Sequence, residues 1–283
     1  KKATDERIYL YKYYISLLTR YTPKFFVFEN VKGLLSFKDC DGERLFPKIL
    51  QEFNDIGYNT SFSLIDSSEY GVSQHRERLF IIGIRDDLNL TPRFFELIQA
   101  YKEIPLSINE LFSDLPSLLP GECKTSYKTK SIKKSLQQYY RRKGDILTYH
   151  LARPLNRNDS TIYRIVAEEK QKGNNFLYTK LPKYLKTHSN DTSFIDRFKA
   201  LDGKSVSHTI VAHISKDGHY YIHPDIYQTR SISVREAARI QGFPDNFYFE
   251  SSRSAAFKQI GNAVPPILSK KIAQTILDIF VRH

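Results

Sequence analysis

PKFFVFENVKG (Pro23–Gly33) sets four apolar residues, Phe25 to Phe28, directly before a carboxylate and an amide, Glu29 and Asn30. Opened by Pro23 and Lys24 and closed by Gly33, the run predicts a strand buried on both faces. Open α/β sheets bind ligands at the carboxyl ends of their strands, which is where Glu29 and Asn30 stand. Taken alone, the stretch is better read as an ordinary polar strand end.

Working outward, ERIYLYKYYISLLTRY (6–21) carries Ile8, Leu10, Tyr11, Tyr14, Ile15, Leu17 and Leu18 as a helical stripe that stops before Pro23. After the strand, ERLFPKILQEFNDIGY (43–58) predicts a second helix with Leu45, Ile49, Leu50, Phe53 and Ile56 inward and Gly57 as its stop signal. Pro47 fits that helix only in its first turn. Further strands are expected near Tyr58–Ile65 and, fully buried, over Arg78–Ile84. The alternation of helix and strand predicts half of a parallel α/β sheet.

A chain of 283 residues with 41% hydrophobic and 13% aromatic content can bury a full core and excludes a disordered protein. No apolar run approaches membrane-spanning length, and the basic start lacks the apolar centre of a signal peptide, so a soluble cytoplasmic protein without membrane partners is expected. Cys40 and Cys123 are too few for a disulfide framework or a zinc site, and eight histidines lack metal-ligand spacing, so no metal is implied. A net charge of +12 favours a polyanionic partner, nucleic acid most simply, although a solvated basic face gives the same number. The chain contains no Met, which points to a piece of a longer polypeptide.

The texture changes after Pro105. Residues 106–225 read as short helical pieces, basic loops and short strands such as HTIVAHI (208–214) and HYYIHP (219–224), with no βαβ rhythm. Lys128 to Lys143 interleaves basic residues with Tyr139 and Tyr140, which suits phosphate contact or a solvated helix face. From Ser233 order returns, with a capped helix in SVREAARIQGF and an amphipathic helix at the end of the chain.

Three further stretches bear on chemistry. YGVSQHRERLFIIGI places Gln74, Arg76 and Arg78 before a buried strand, where guanidinium forks can reach a phosphate or a base carbonyl; a salt-bridged strand start with Glu77 is the alternative. RSISVREAARIQGFPDNF is an Arg-rich helix closed by a Gly-Phe-Pro turn, and a capped surface helix explains it as well. QIGNAVPP offers a tight turn and an amide, or merely the turn leading into the last helix.

In this order, ENV (29–31), QHRER (74–78), VREAARIQGFPD (234–245) and QIGNAVP (259–265) closely resemble the cytosine-C5 DNA methyltransferase family. The resemblance covers roughly 1–105 and 206–283, and it implies an S-adenosylmethionine-dependent enzyme acting on duplex DNA. It implies that Glu29 faces N3 and the exocyclic amine of a flipped-out cytosine, with its pKa raised by partial burial so that it can hold a proton for donation. Arg78 and Arg76 would hold the base oxygen and a nearby phosphate. Asn262 and Ala263 would close over the methionine end of the cofactor, and Leu10 would line its pocket. Phosphate contacts are expected from Lys128, Lys130, Lys133 and Lys134, and base readout from His213 and Lys216.

The implied fold is the second half of a Rossmann-like α/β methyltransferase sheet with a small, irregular target-recognition domain. Its parts are a catalytic domain over 1–105, a recognition domain over 106–225, and a hinge and return helix over 226–283. The family's glycine-rich cofactor loop and Pro-Cys-Gln nucleophile motif normally precede ENV, and neither occurs here; neither cysteine follows a proline. The expectation is therefore a carboxyl-terminal part, inactive alone and completed by an amino-terminal half. Abundant Lys, Ile, Asn and Tyr fit an AT-rich bacterial genome and a restriction–modification setting. A non-catalytic recognition subunit of a split enzyme and an RNA methyltransferase are the alternatives.

Overall fold

The computed structural model describes residues 6–91, 93–186 and 195–281; the first five residues of the basic start lie outside them. The first elements are α1 (Leu10–Tyr21), β1 (Phe25–Val31), α2 (Leu45–Asp55), β2 (Tyr58–Asp66), β3 (Glu77–Arg85) and α3 (Phe94–Leu97). There follow α4 (Ile108–Leu111), α5 (Lys134–Gln137), α6 (Arg157–Gln171), α7 (Val234–Ile240), α8 (Arg253–Asn262) and α9 (Pro266–Val281). None of the helices among the described residues is long and apolar enough to cross a membrane. The chain divides into one unit of residues 1–66, 77–102 and 271–283 and another of 67–76 and 103–270. The division cuts the expected 226–283 segment at Lys271, inside α9.

The first unit is a three-stranded sheet in the order β1-β3-β2 with helices on both faces. The expected parallel arrangement is corrected: β1 and β2 both run antiparallel to β3, which lies between them. The reason is the length of the link. Residues 67–76 are too few for the crossover that a parallel neighbour needs, so β3 folds back along β2. As the central strand, β3 buries Leu79 to Ile82 almost completely. β1 is an edge strand, and only Phe26 in it is fully buried, so the expectation of burial on both faces is corrected too.

Phe26 and Phe28 face α1 and α2, packing with Tyr14, Phe53 and Tyr58. Phe25 faces the other side, against Phe94 of α3 and Phe280 near the end of α9. Gly83 stands opposite Phe26 on β3, and a Cβ there would lie 2.0 Å from the Phe26 ring. Only glycine leaves room for that ring on a central strand. α1 ends with Thr22 in the left-handed region, its N–H bonded to Leu18 O, just before Pro23. Pro47 falls in the first turn of α2, where its missing N–H is harmless. Of the helical stripe, Tyr11 and Leu18 are buried while Leu10 and Leu17 are exposed.

The second unit is helical and irregular. α6 is a full helix of 15 residues, longer than the short pieces expected in this region, and Asn156 caps it by accepting from Asp159 N–H at 2.7 Å. Its buried face, Ile162, Tyr163, Val166 and Ala167, packs with Tyr178, Leu181, Phe198 and Ile222. HTIVAHI and HYYIHP do not form the expected strands. The first runs into a 3₁₀ turn over Ala212–Ser215, and the second makes isolated bridges from Ile222 to Ala200 and Ser231.

Candidate functional site

Glu29 is the fifth residue of β1, and its direct partner across the strand pair is Phe80. Arg78 opposes Val31, so Glu29 and Arg78 share a face as diagonal neighbours. Their side chains meet as an ion pair, Arg78 Nε to Glu29 Oε1 at 3.2 Å, both partly buried. Arg78 also donates from Nη1 to Glu77 O at 2.8 Å. Glu77 itself turns to Lys32 at 2.8 Å in an exposed pair, which contributes little to stability.

Beside Glu29 opens a cavity of about 280 Å³ within the first unit. Leu10, Tyr11, Tyr14 and Phe28 give it an apolar wall, and Glu29 and Asn30 give it a polar rim. Two residues singled out in the sequence, Leu10 and Glu29, are thus brought together. Sequence reasoning missed the contribution of Tyr11 and Tyr14; the tyrosine-rich run of α1 was the signal available. Such a wall fits a flat, largely apolar ring system with a few polar groups at its edge. Cys40 lies in an exposed turn of this unit with its Sγ 3.4 Å from the Tyr9 hydroxyl.

The remaining predicted residues belong to the second unit. Arg76 is 3% exposed, and its guanidinium donates to Ile210 O at 3.0 Å and Gly261 O at 3.3 Å. Held this way, the side chain ties the backbone at 210 to that at 261, whereas the sequence expectation has it reach base or phosphate. Gln74 works beside it, accepting from Ile210 N–H at 2.9 Å and donating to Ile240 O at 3.3 Å and to the side chain of Gln241. Ser207 N–H bonds Ser73 O at 2.9 Å, and His75 N–H bonds Ser207 O at 2.8 Å. A Cβ on Gly261 would come within 2.3 Å of Ala212 N, so that turn lies directly on the 211–212 backbone.

Asn262 closes α8 with an exposed side chain, and Ala263 O accepts from Gln241 Nε2 at 2.6 Å. Lys128, Lys130, Lys133 and Lys134 are all exposed, Lys133 at the start of α5. His213 sits exposed in the 3₁₀ turn and Lys216 just beyond it.

The Arg-rich stretch around α7 is not a surface helix. Arg230, Arg235 and Arg239 are all 0% exposed. Arg230 forms a two-pronged pair with Glu236, both contacts at 2.7 Å, while Glu236 also completes a capping box with Ser233. Arg239 bonds Asp114 at 2.6 Å and Asp245 at 2.6 and 2.9 Å, and Arg141 shares Asp114 at 2.9 Å. Burial alone would raise Glu236 and Asp114, but the adjoining Arg230 and Arg239 cations hold both below the usual carboxylate range. Burial, then the Arg230 cation, pushes His223 down to about 4.

Residues 1–278 match the family described as C-5 cytosine-specific DNA methylase. The chain is 41% identical over 294 residues to the Type II methyltransferase M.Bpa9945I of Bacillus paralicheniformis, covering 99% of this chain and 65% of that protein. It is 30% identical to the Type II methyltransferase M.FnuDI of Fusobacterium nucleatum, with 97% and 71% covered. A solved E. coli structure, described as that of a DNA modification methyltransferase encoded within a prophage, is alike in fold. It has a TM-score of 0.67 at 23% identity over 98% of this chain and 75% of that one. The chain thus spans just under two thirds of the Bacillus paralicheniformis relative.

Proposed function

The chain belongs to the C-5 cytosine-specific DNA methylase family, and on that premise we propose that it is part of an S-adenosylmethionine-dependent enzyme. The reaction is methylation of cytosine C5 within a specific site of duplex DNA, in a restriction–modification setting. The observation that carries this reading is the Glu29–Arg78 pair at 3.2 Å on the rim of the 280 Å³ cavity.

Cytosine C5 is a weak nucleophile until electron density is pushed onto it from C6. Glu29, at the end of β1, hydrogen-bonds N3 of the extruded base and places a proton there, while Arg78 fixes the carboxyl and supports the base oxygen. With N3 protonated, a thiolate adds at C6, the electron pair reaches C5, and C5 is methylated. Loss of the C5 proton to a base then expels the thiolate, and the N3 proton returns to Glu29. Base extrusion costs a few kcal/mol, which contacts to base and backbone offset.

S-adenosylmethionine supplies the electrophilic methyl group. Leu10, Tyr11, Tyr14 and Phe28 would form one wall of its pocket. The thiolate comes from outside these residues. The sequence has no Pro-Cys pair, and Cys40 and Cys123 are both exposed and away from any such motif. Segment 106–225 chooses the target site and the flanking motifs carry the chemistry.

The test is tritiated methyl transfer onto DNA. The 283 residues alone should be inactive, and addition of a polypeptide made of the part of M.Bpa9945I that this chain does not match should restore transfer. Methylation by the isolated chain would refute the divided reading.

A further inference from the structure

We propose that Arg153 is a positioning residue for DNA recognition: its guanidinium fixes the 3₁₀ turn over Ala212–Ser215 so that His213 and Lys216 present one shared face to the base edges. The proposal rests on the reading in which 106–225 chooses the target site.

A 3₁₀ turn leaves its last carbonyls without partners inside the turn. Ile214 N–H bonds Val211 O at 3.0 Å and Lys216 N–H bonds His213 O at 2.9 Å. These bonds close the turn but leave the oxygens of Ile214, Ser215 and Lys216 to be met from elsewhere. Arg153 meets all three. It donates from Nη1 to Lys216 O at 2.5 Å, and from Nη2 to Ile214 O and Ser215 O, both at 3.2 Å. Among the described residues, all of its hydrogen bonds go to this turn. A planar fork with two adjacent nitrogens can span three neighbouring carbonyls, whereas an ammonium is a single point.

The other end of the turn is held as well. Tyr221 donates its hydroxyl to Thr209 O at 2.8 Å and accepts from Val211 N–H at 3.2 Å, while its ring stacks on His208 at 4.9 Å. Gly261 packs against the 211–212 backbone, and the Ile214 side chain is buried. With both ends and one face fixed, His213 and Lys216 remain on the outside, both exposed. Three residues apart, they stand one above the other in 3₁₀ geometry. Recognition groups discriminate only when held to within about 0.5 Å of the productive geometry. A short surface turn has no such rigidity of its own; Arg153 and Tyr221 supply it.

The test is selection of bound duplexes by the full chain from a DNA library with a randomised core, followed by sequencing. Arg153→Lys keeps the charge and loses the fork. It should flatten base preference by about tenfold, at the same positions that His213→Ala with Lys216→Ala flattens. The salt dependence of bulk duplex binding should stay that of the wild type, because no charge is removed. A loss of stability alone would lower binding on every sequence equally and leave the preference intact. Tyr221→Phe frees the opposite end of the turn with its ring kept, and should flatten the same positions, so it serves if Arg153→Lys does not fold. Wild-type preference in folded Arg153→Lys, or in Tyr221→Phe where that variant alone folds, overturns the positioning role and leaves the recognition reading standing. Unchanged preference in the His213 and Lys216 double variant also overturns it, since the turn then reads no bases. A wild-type chain that selects no sequence removes the recognition reading, and the positioning role goes with it.

Discussion

Arg78 holds Glu29 from one step along the opposite strand: the pair is diagonal across β1 and β3, closed at 3.2 Å between Nε and Oε1. The carboxyl at the end of β1 is thereby fixed by a fork that is itself anchored to the Glu77 carbonyl.

Glu29→Gln in the complemented enzyme should lower single-turnover methylation by roughly 10²–10⁴-fold while DNA affinity changes little. The amide still meets the cytosine edge but has no proton to give. Unaltered methylation rates in rapid-quench measurements would remove Glu29 from the chemistry.

Arg239→Met should destabilise the second unit by about 3–5 kcal/mol, because Asp114 and Asp245 would stay buried with a guanidinium partner missing. The readout is the midpoint of guanidinium chloride unfolding. A shift no larger than that of an exposed Arg variant would mean the network is not a stabilising centre.

Acid should unfold the second unit in a defined window. His223 and His208 both have folded-state pKa values pushed to about 4, by burial first and by the neighbouring Arg230 and Lys199 cations second. Unfolding returns them to the ordinary value near 6.5, so the unfolded state binds more protons between these limits. Their contribution, at most roughly 3 kcal/mol each, is complete above pH 6.5 and lost as pH falls toward 4. Below the usual carboxylate range Glu236 and Asp114 add a further loss, since their folded pKa values are depressed. His223→Gln should flatten the stability slope between pH 6.5 and 4; an unchanged slope would assign the proton uptake elsewhere.

Ala substitutions at Lys128, Lys130, Lys133 and Lys134 should weaken binding to all duplex sequences alike. For each lysine that truly touches a phosphate, its removal reduces the slope of log K against log salt by about 0.9. A substitution that alters preference between sites instead would make that lysine a base reader.

Much of the first unit was legible because its signals are local. Pro23, Gly57 and the apolar runs mark helices and strands within a few residues of where they occur. Strand direction was misread because helix–strand alternation says nothing of where β3 inserts; the short link over 67–76 held that information. Burial of Arg230, Arg235 and Arg239 was not legible, since their guanidinium groups are satisfied by Leu118 O, Thr148 O and Asp114 in turn, all far away in sequence. The motifs singled out Glu29 and Arg78, which meet at 3.2 Å, but not the burial of Arg76, because a motif records identity and not the direction of a side chain.

The lacing of 73–76 to 207–212, pressed on by Gly261, limits how target choice can be inherited. A segment cut at 106 and 225 and moved between relatives imports a foreign 207–212 strip onto a resident Gln74, Arg76 and Gly261. A segment ending at Val206 leaves both halves of that seam native and moves only what precedes it. Recombination that moves 106–225 whole, His213 and Lys216 included, should therefore bring its own Gln74, Arg76 and Gly261, and new specificities should spread as blocks that carry that seam with them.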